Sequence, residues 1–176
     1  MVKLNFIHKL VEWLYLSYPN NLALYDQLTR LYNANWLYKI AYKQYSDKEC
    51  YVTVVDLNDF KHINDSLGHI IGNAVLMSVA NQLNDIKKAY PDTDICRLGG
   101  DEFIIFSRVD ITSFFKYDNT KLLSYGVYYK RREMPVQHAI SCADKSMYSY
   151  KASIKKNPKV GKDILNAAKS IAKEEL

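Results

Sequence analysis

Two acidic positions in this chain have the type and setting to do chemistry. Asp56 closes an apolar run, Tyr51 to Leu57, that reads as a buried strand; Asp101 and Glu102 follow directly on Gly99-Gly100. The glycines have a simple reason, because residues without a Cβ let a turn fold tightly and let a phosphate come close to the backbone. The acids do not. Carboxylates left on neighbouring strand ends repel one another unless a cation compensates, and hard oxygen donors of this kind suit Mg²⁺. A pair of such ions can activate a hydroxyl and stabilise a departing phosphate in an in-line displacement. The alternative reading is that the acids solvate a turn, where acidic residues are common.

The elements that must position these groups follow from hydrophobic spacing and turn signals. Residues 3 to 16 carry Leu4, Ile7, Leu10, Val11 and Leu14 at helical intervals, broken at Pro19-Asn20-Asn21. A second helical pattern runs from Asn33 to Gln44, before the strand 51–57. Phe60 to Ser66 reads as a short helix, and Gly72 to Lys88 places Val75, Leu76, Val79, Leu83 and Ile86 on one helical face, closed by Pro91-Asp92. Ile95 to Leu98 and Glu102 to Phe106 flank the two glycines as a tight hairpin. Leu122 to Tyr129 is a further strand, Val136 to Ala152 a helix and Asp163 to Glu174 a terminal helix. Alternating helices and strands with one hairpin predict an α+β fold, a mixed sheet with its helices on one face.

Composition narrows the class. With 176 residues, 48% apolar and 24% charged, the chain suits one globular domain. No segment approaches the roughly 20 apolar residues of a membrane span, and Lys9 and Glu12 interrupt the N-terminal apolar run, so we expect no span and a cytoplasmic protein. Cys50, Cys96 and Cys142 lie far apart, without metal-ligand spacing, and read as reduced thiols. The net charge of +5 owes much to Lys151, Lys155, Lys156, Lys159 and Lys162 rather than to one helix stripe, which favours a small anionic substrate over nucleic acid.

Arg97-Leu98-Gly99-Gly100-Asp101-Glu102-Phe103 resembles the signature of the GGDEF family, the diguanylate cyclases, and three more motifs stand in the family's order. Asp26-Gln27-Leu28-Thr29-Arg30-Leu31-Tyr32-Asn33 is similar to its opening motif. The stretch from Asp56 through Asp65, with Gly68-His69 and Gly72, is similar to its central block. Ser124-Tyr125-Gly126-Val127 and Ala143-Asp144 with Met147-Tyr148 and Lys151 resemble its last strand and helix. The resemblance implies a ferredoxin-like palm over residues 25–157, between a leader helix at 1–24 and a basic helical extension at 158–176. It implies a cyclic-dinucleotide synthase that joins two nucleoside triphosphates, GTP or also ATP, across a homodimer, with two Mg²⁺ or Mn²⁺ ions per site. Asp56, Asp101 and the Leu57 carbonyl would hold the ions, with Glu102 beside them. Backbone around Asp59, Phe60 and Lys61, the Gly99-Gly100 turn, Lys151 and Lys155 would receive the triphosphate. Asn64 and Asn73 would meet the base.

Several positions depart from the family's pattern. Where relatives carry the aspartate that reads guanine, this chain has Asn73; an amide offers a donor as well as an acceptor and fits adenine's edge at least as well. Asn58 replaces a second aspartate near Asp56, which lowers the negative charge expected there, and Ala34 replaces an arginine. Tyr90 and Thr93 stand where many relatives have their Arg-x-x-Asp product-inhibition pair, so we expect no feedback there. About fifteen residues separate the hairpin from the next strand, too few for the helix that relatives insert with its connections. These departures leave open a second function, an inactive domain that senses nucleotide or binds partners. His69 reads as a structural histidine, and the fifteen tyrosines as half-buried core residues. Trp13, Leu10 and Leu14 either pair the leader helix with a second copy or pack it on its own domain. Activity is expected to be ungoverned within the chain or set by a separate regulatory protein.

Overall fold

A computed structural model describes residues 23–116, 120–157 and 159–175. The expected leader helix lies outside them. Strand β1 (Tyr32–Asn33) leads into a helix, α1, made of Ala34–Trp36, a π turn Leu37–Ala41 and Tyr42–Gln44. Then come β2 (Cys50–Leu57), α2 (Phe60–Leu67), α3 (His69–Ala89), β3 (Asp94–Gly99) and β4 (Glu102–Ser107). A short helix α4 (Thr112–Lys116), β5 (Leu123–Lys130), α5 (Val136–Lys155) and α6 (Val160–Glu175) complete the order.

The sheet runs β1-β3-β4-β2-β5, with β1 parallel to β3 and the other neighbours antiparallel. An antiparallel hairpin at the centre and helices outside it give the α+β fold that the spacing predicts. The expectation of helices on one face alone is corrected, because both faces are covered. Strand β2 is buried at every position but Tyr51, so each side of its pleat needs a partner. Val55, Leu57, Phe103 and Ile105 face a core built with Val75, Val79 and Leu83 of α3 and Ile164 and Ala168 of α6. Val52, Val54, Ile104 and Phe106 face the opposite core, with Trp36 and Leu37 of α1 and Ala139, Ala143 and Met147 of α5.

This alternation decides where the acids go. Counting by twos from Val52 and Val54 puts Asp56 on the α5 side, and counting back from Ile104 puts Glu102 on the same side. The two stand opposite each other in the β2–β4 register.

The short connection after the hairpin is not helix-free. α4 supplies one buried residue, Phe115, whose ring stacks on Tyr125 of β5 at 4.9 Å between centroids. A single helical turn is what the length allows, and it is enough to cover the end of β5.

Candidate active site

The site forms where β2 ends and the β3–β4 hairpin turns. Gly99 (φ +150°) and Gly100 (φ +54°) take backbone angles that an L side chain rarely adopts, and the ladder shifts register between Arg97 and Gly99. The turn is tied at both ends. The Leu57 N–H donates to the Asp101 carbonyl at 3.2 Å, which fastens the residue after Asp56 to the residue after the glycines. Arg97 donates twice to the Gly100 carbonyl, from Nε at 3.1 Å and Nη2 at 2.7 Å, and from Nη1 to Asp26 Oδ1 at 2.9 Å.

Asp26 is held in turn by the Thr29 amide (2.8 Å) and hydroxyl (2.7 Å). Burial pushes the Asp26 carboxyl up, but the hydrogen bonds from Thr29 and Arg97 outweigh it and hold the group below its ordinary value. Asn33 caps α1 through the Trp36 amide and donates to the Ala23 and Tyr25 carbonyls, both at 3.1 Å. The opening motif is thus a brace for the glycine turn. Its role as a support was not visible in one-dimensional spacing, since Asp26 and Arg97 are 71 residues apart.

Asp56 is nearly buried, and burial raises its carboxyl pKa; the Lys151 ammonium pulls it down, Asp101 pushes it up again, and the balance stays above the ordinary value. Glu102 is also raised, by burial and then by the charges of Asp56, Asp101 and Asp144. Asp144 joins this acidic group, a site residue not expected from the motifs. The signal was there: Asp144, Lys151 and Lys155 recur at intervals of seven and four on α5, one helical face.

That face reaches the strand end because α5 sits directly on β5. A Cβ on Gly126 would lie 2.2 Å from the Ala143 carbonyl oxygen and 2.2 Å from the Met147 nitrogen, so only glycine allows this approach. One turn further on, Lys151 Nζ donates to Asp56 Oδ1 in a largely buried ion pair. Lys155 acts on Asp56 through its charge.

The remaining expected residues surround this centre. Asp59 takes a left-handed conformation (φ +54°) as the cap of α2, so the amides that follow, through Phe60 and Lys61, open the helix beside the end of β2. Lys61 is exposed. Asn64 on α2 lies against Gly72 on α3, where an added Cβ would meet Asn64 Oδ1 at 1.9 Å; Asn73 follows on the exposed side of α3. Asn58 brings no charge near Asp56 and also serves the fold. Its Nδ2 donates to the Lys121 carbonyl (2.8 Å) and its Oδ1 accepts from the Ser124 hydroxyl (2.7 Å), all in a buried setting. Where the sequence leads us to expect no product-inhibition pair, Tyr90 packs edge-on against Phe114 with centroids 6.0 Å apart, and Thr93 is buried.

The family model for the diguanylate cyclase GGDEF domain matches residues 23–113. The chain belongs to the GGDEF family. The signaling protein YkoW of Bacillus subtilis is 44% identical over 94 residues, 49% of this chain and 11% of its own length. The probable diguanylate cyclase DgcT of Escherichia coli is 31% identical over 100 residues, 54% of this chain and 22% of its own length. The matched region is therefore under a quarter of these relatives. The crystal structure of the coiled coil and GGDEF domain of DgcB from Caulobacter crescentus, in complex with c-di-GMP, superposes with a TM-score of 0.70 at 22% identity. It covers 86% of this chain and 94% of that one, a likeness of fold. Among the described residues no helix is long and apolar enough to cross a membrane.

A GGDEF domain of this kind is expected to work with a divalent metal, and the donor set can be tested for fit. Among the described residues no three His, Cys, Asp or Glu side chains form a ready metal cluster. Mg²⁺ dehydrates reluctantly and is commonly held by one or two carboxylates together with substrate phosphates. The Asp56 and Glu102 carboxyls are raised first by burial and then by their acidic neighbours, and the Asp56 carboxylate already holds one cation, the Lys151 ammonium. Asp56 and Asp101 fit such an ion.

Proposed function

We propose that this GGDEF domain condenses two nucleoside triphosphates into a cyclic dinucleotide with release of pyrophosphate. The observation that carries the reading is the gathering of Asp56, Asp101 and Glu102 at adjacent strand ends beneath Lys151. In each half-reaction the 3′-oxygen of one nucleotide bonds to the α-phosphorus of the other, the bond to the β-phosphate oxygen breaks, and pyrophosphate leaves; a second transfer closes the ring.

Asp56, Asp101 and the Leu57 carbonyl are the groups to hold two Mg²⁺ or Mn²⁺ ions. Bound there, the ions would supply the Lewis acidity that sharpens the 3′-hydroxyl and stabilises the leaving phosphate. The chain's own residues do the rest. The Gly99-Gly100 turn and the amides after Asp59 admit the triphosphate closely, and Lys151 and Lys155 offset its charge. Glu102, its affinity for a proton raised by burial and by its acidic neighbours, would take the hydroxyl proton. Two such sites must face each other, so the working form is a homodimer, at least during turnover.

Base choice rests on Asn64 and Asn73. An amide at position 73 presents one acceptor oxygen and one donor nitrogen where a carboxylate presents two acceptor oxygens, so it matches guanine's two donors less well and adenine's edge at least as well. We therefore assign ATP as a substrate alongside GTP, with an adenine-containing product among the outcomes.

The test is incubation with Mg²⁺ and each pair of triphosphates, read by mass spectrometry and pyrophosphate release. Turnover that vanishes in Asp101→Ala supports the enzyme. Nucleotide binding without turnover in either protein supports the sensor, and production of the guanine homodimer alone removes the adenine assignment.

A further inference from the structure

The ion pair between Lys151 and Asp56 has a consequence for how the site loads. We propose that Lys151 is a resident cation that occupies the Asp56 carboxylate until a metal–triphosphate complex arrives, so that metal and nucleotide bind this site cooperatively. The inference rests on the reading of Asp56 and Asp101 as metal ligands and adds an order of events to it.

The geometry fixes the lysine where an ion would be wanted. Its Nζ is bonded to Asp56 Oδ1, with 20% of the lysine side chain and 10% of the aspartate side chain exposed. The helix that carries it cannot slide away freely, because α5 lies against the Gly126 backbone one turn earlier. Asp101, Glu102 and Asp144 add negative potential around the same strand end. Without a cation these acids would face one another uncompensated, a costly arrangement for partly buried charge.

A divalent ion that binds Asp56 competes with this ammonium for the same oxygen. A bare ion must displace Lys151 and leave it without its partner, which subtracts the ion pair from the affinity. An ion that arrives with a triphosphate brings the displaced lysine a new anion, since α5 directs Lys151 and Lys155 along one face toward the site. The loss is then made good. Each ligand therefore raises the affinity of the other, and by linkage the two factors are equal.

Lys151→Met tests this with Mn²⁺ alone, followed by electron paramagnetic resonance or calorimetry on the full chain, and again with Mn²⁺ and a non-hydrolysable triphosphate. The expected result is that bare Mn²⁺ binds the variant about three- to tenfold more tightly than the wild type. The enhancement of Mn²⁺ binding by nucleotide should shrink by a similar factor. Lys156→Met, which removes an exposed charge from the same helix end, should leave bare-Mn²⁺ affinity within about twofold. Lys151→Gln serves equally if the methionine variant does not fold.

Bare-Mn²⁺ affinity that is unchanged or weakened in the Lys151 variants, while the wild type binds, overturns the competition but leaves the metal seat standing. Binding by the wild type that survives Asp56→Asn and Asp101→Asn overturns the seat itself. Binding of Mn²⁺ by no variant and not by the wild type, with or without nucleotide, overturns both.

Discussion

Replacing Gly126 by alanine is a one-carbon perturbation whose effect can be worked from the structure. The new Cβ would lie 2.2 Å from the Ala143 oxygen and the Met147 nitrogen, and 2.8 Å from the Met147 Cα, where an ordinary contact begins at 3.4 Å. Taking 2.2 Å from 3.4 Å leaves about 1.2 Å by which α5 must move off β5. The obstruction is backbone on both sides, so no rotamer change relieves it. Overpacking of this sort costs about 1–3 kcal/mol, and the rigid obstacle places Gly126→Ala toward the upper end. In a domain of this size that lowers Tm by roughly 4–12 °C. The same displacement lifts Lys151 from Asp56, and about 1 Å of misplacement near reacting groups can cost on the order of a hundredfold in rate. Calorimetry and pyrophosphate release on the purified variant read both effects. A Tm within about 1 °C of wild type, with turnover intact, would refute the claim that α5 is seated on the Gly126 backbone and sets the lysine's position.

Three further outcomes follow from the same geometry. Asn58→Asp removes the donor to the Lys121 carbonyl and buries a charge, so it should cost about 1–3 kcal/mol and several degrees of Tm; higher activity with no loss of stability would instead make position 58 a missing metal ligand. Gly72→Ala meets the Asn64 side chain, Oδ1 at 1.9 Å and Cγ at 3.0 Å, which can swing aside, and touches the Phe60 ring at an ordinary 3.4 Å. Its Tm should change by less than about 2 °C because alanine also favours the helix, while KM for triphosphate rises; an unchanged KM and base preference would remove Asn64 from the site.

The third concerns pH. Asp56 and Glu102 have folded-state pKa values raised above their reference values of 3.8 and 4.5, so the stability they contribute is present at lower pH and is lost as pH rises through the folded values. Asp26, held low, acts in the opposite sense and loses its contribution as pH falls below 3.8. Asp101→Asn leaves the Asp26 contribution intact but relieves the repulsion on Asp56 and Glu102. Metal-free Asp101→Asn should melt about 1–3 °C above wild type at pH 7, with the gap closing toward pH 4. A lower melting point at pH 7 would contradict the charge assignment.

The acids were legible in the sequence because strand ends and glycine turns have local signatures. Asp56 after an apolar run and Asp101 after two glycines need no knowledge of distant neighbours, whereas the shared face of Asp56 and Glu102 follows only from the β2–β4 register. What sequence spacing hid was long-range. Arg97 bracing Asp26, Asn58 bridging Lys121 and Ser124, and Gly126 under α5 are contacts between segments far apart in the chain, and each looks unremarkable in its own window. The second helical layer was missed for a related reason. Short apolar runs such as those of β2 and β4 leave open whether one face or both are buried, and only the pairing of both strands with flanking helices resolves it.

The central claim, that Asp56 and Asp101 together grip the metal of a bound triphosphate, is tested most directly by anomalous diffraction from crystals grown with Mn²⁺ and a non-hydrolysable triphosphate. The account predicts a manganese peak beside the Asp56 and Asp101 carboxylates, with Lys151 moved from Asp56 to the phosphates. A bound nucleotide with no peak there, and Lys151 still on Asp56, would contradict it.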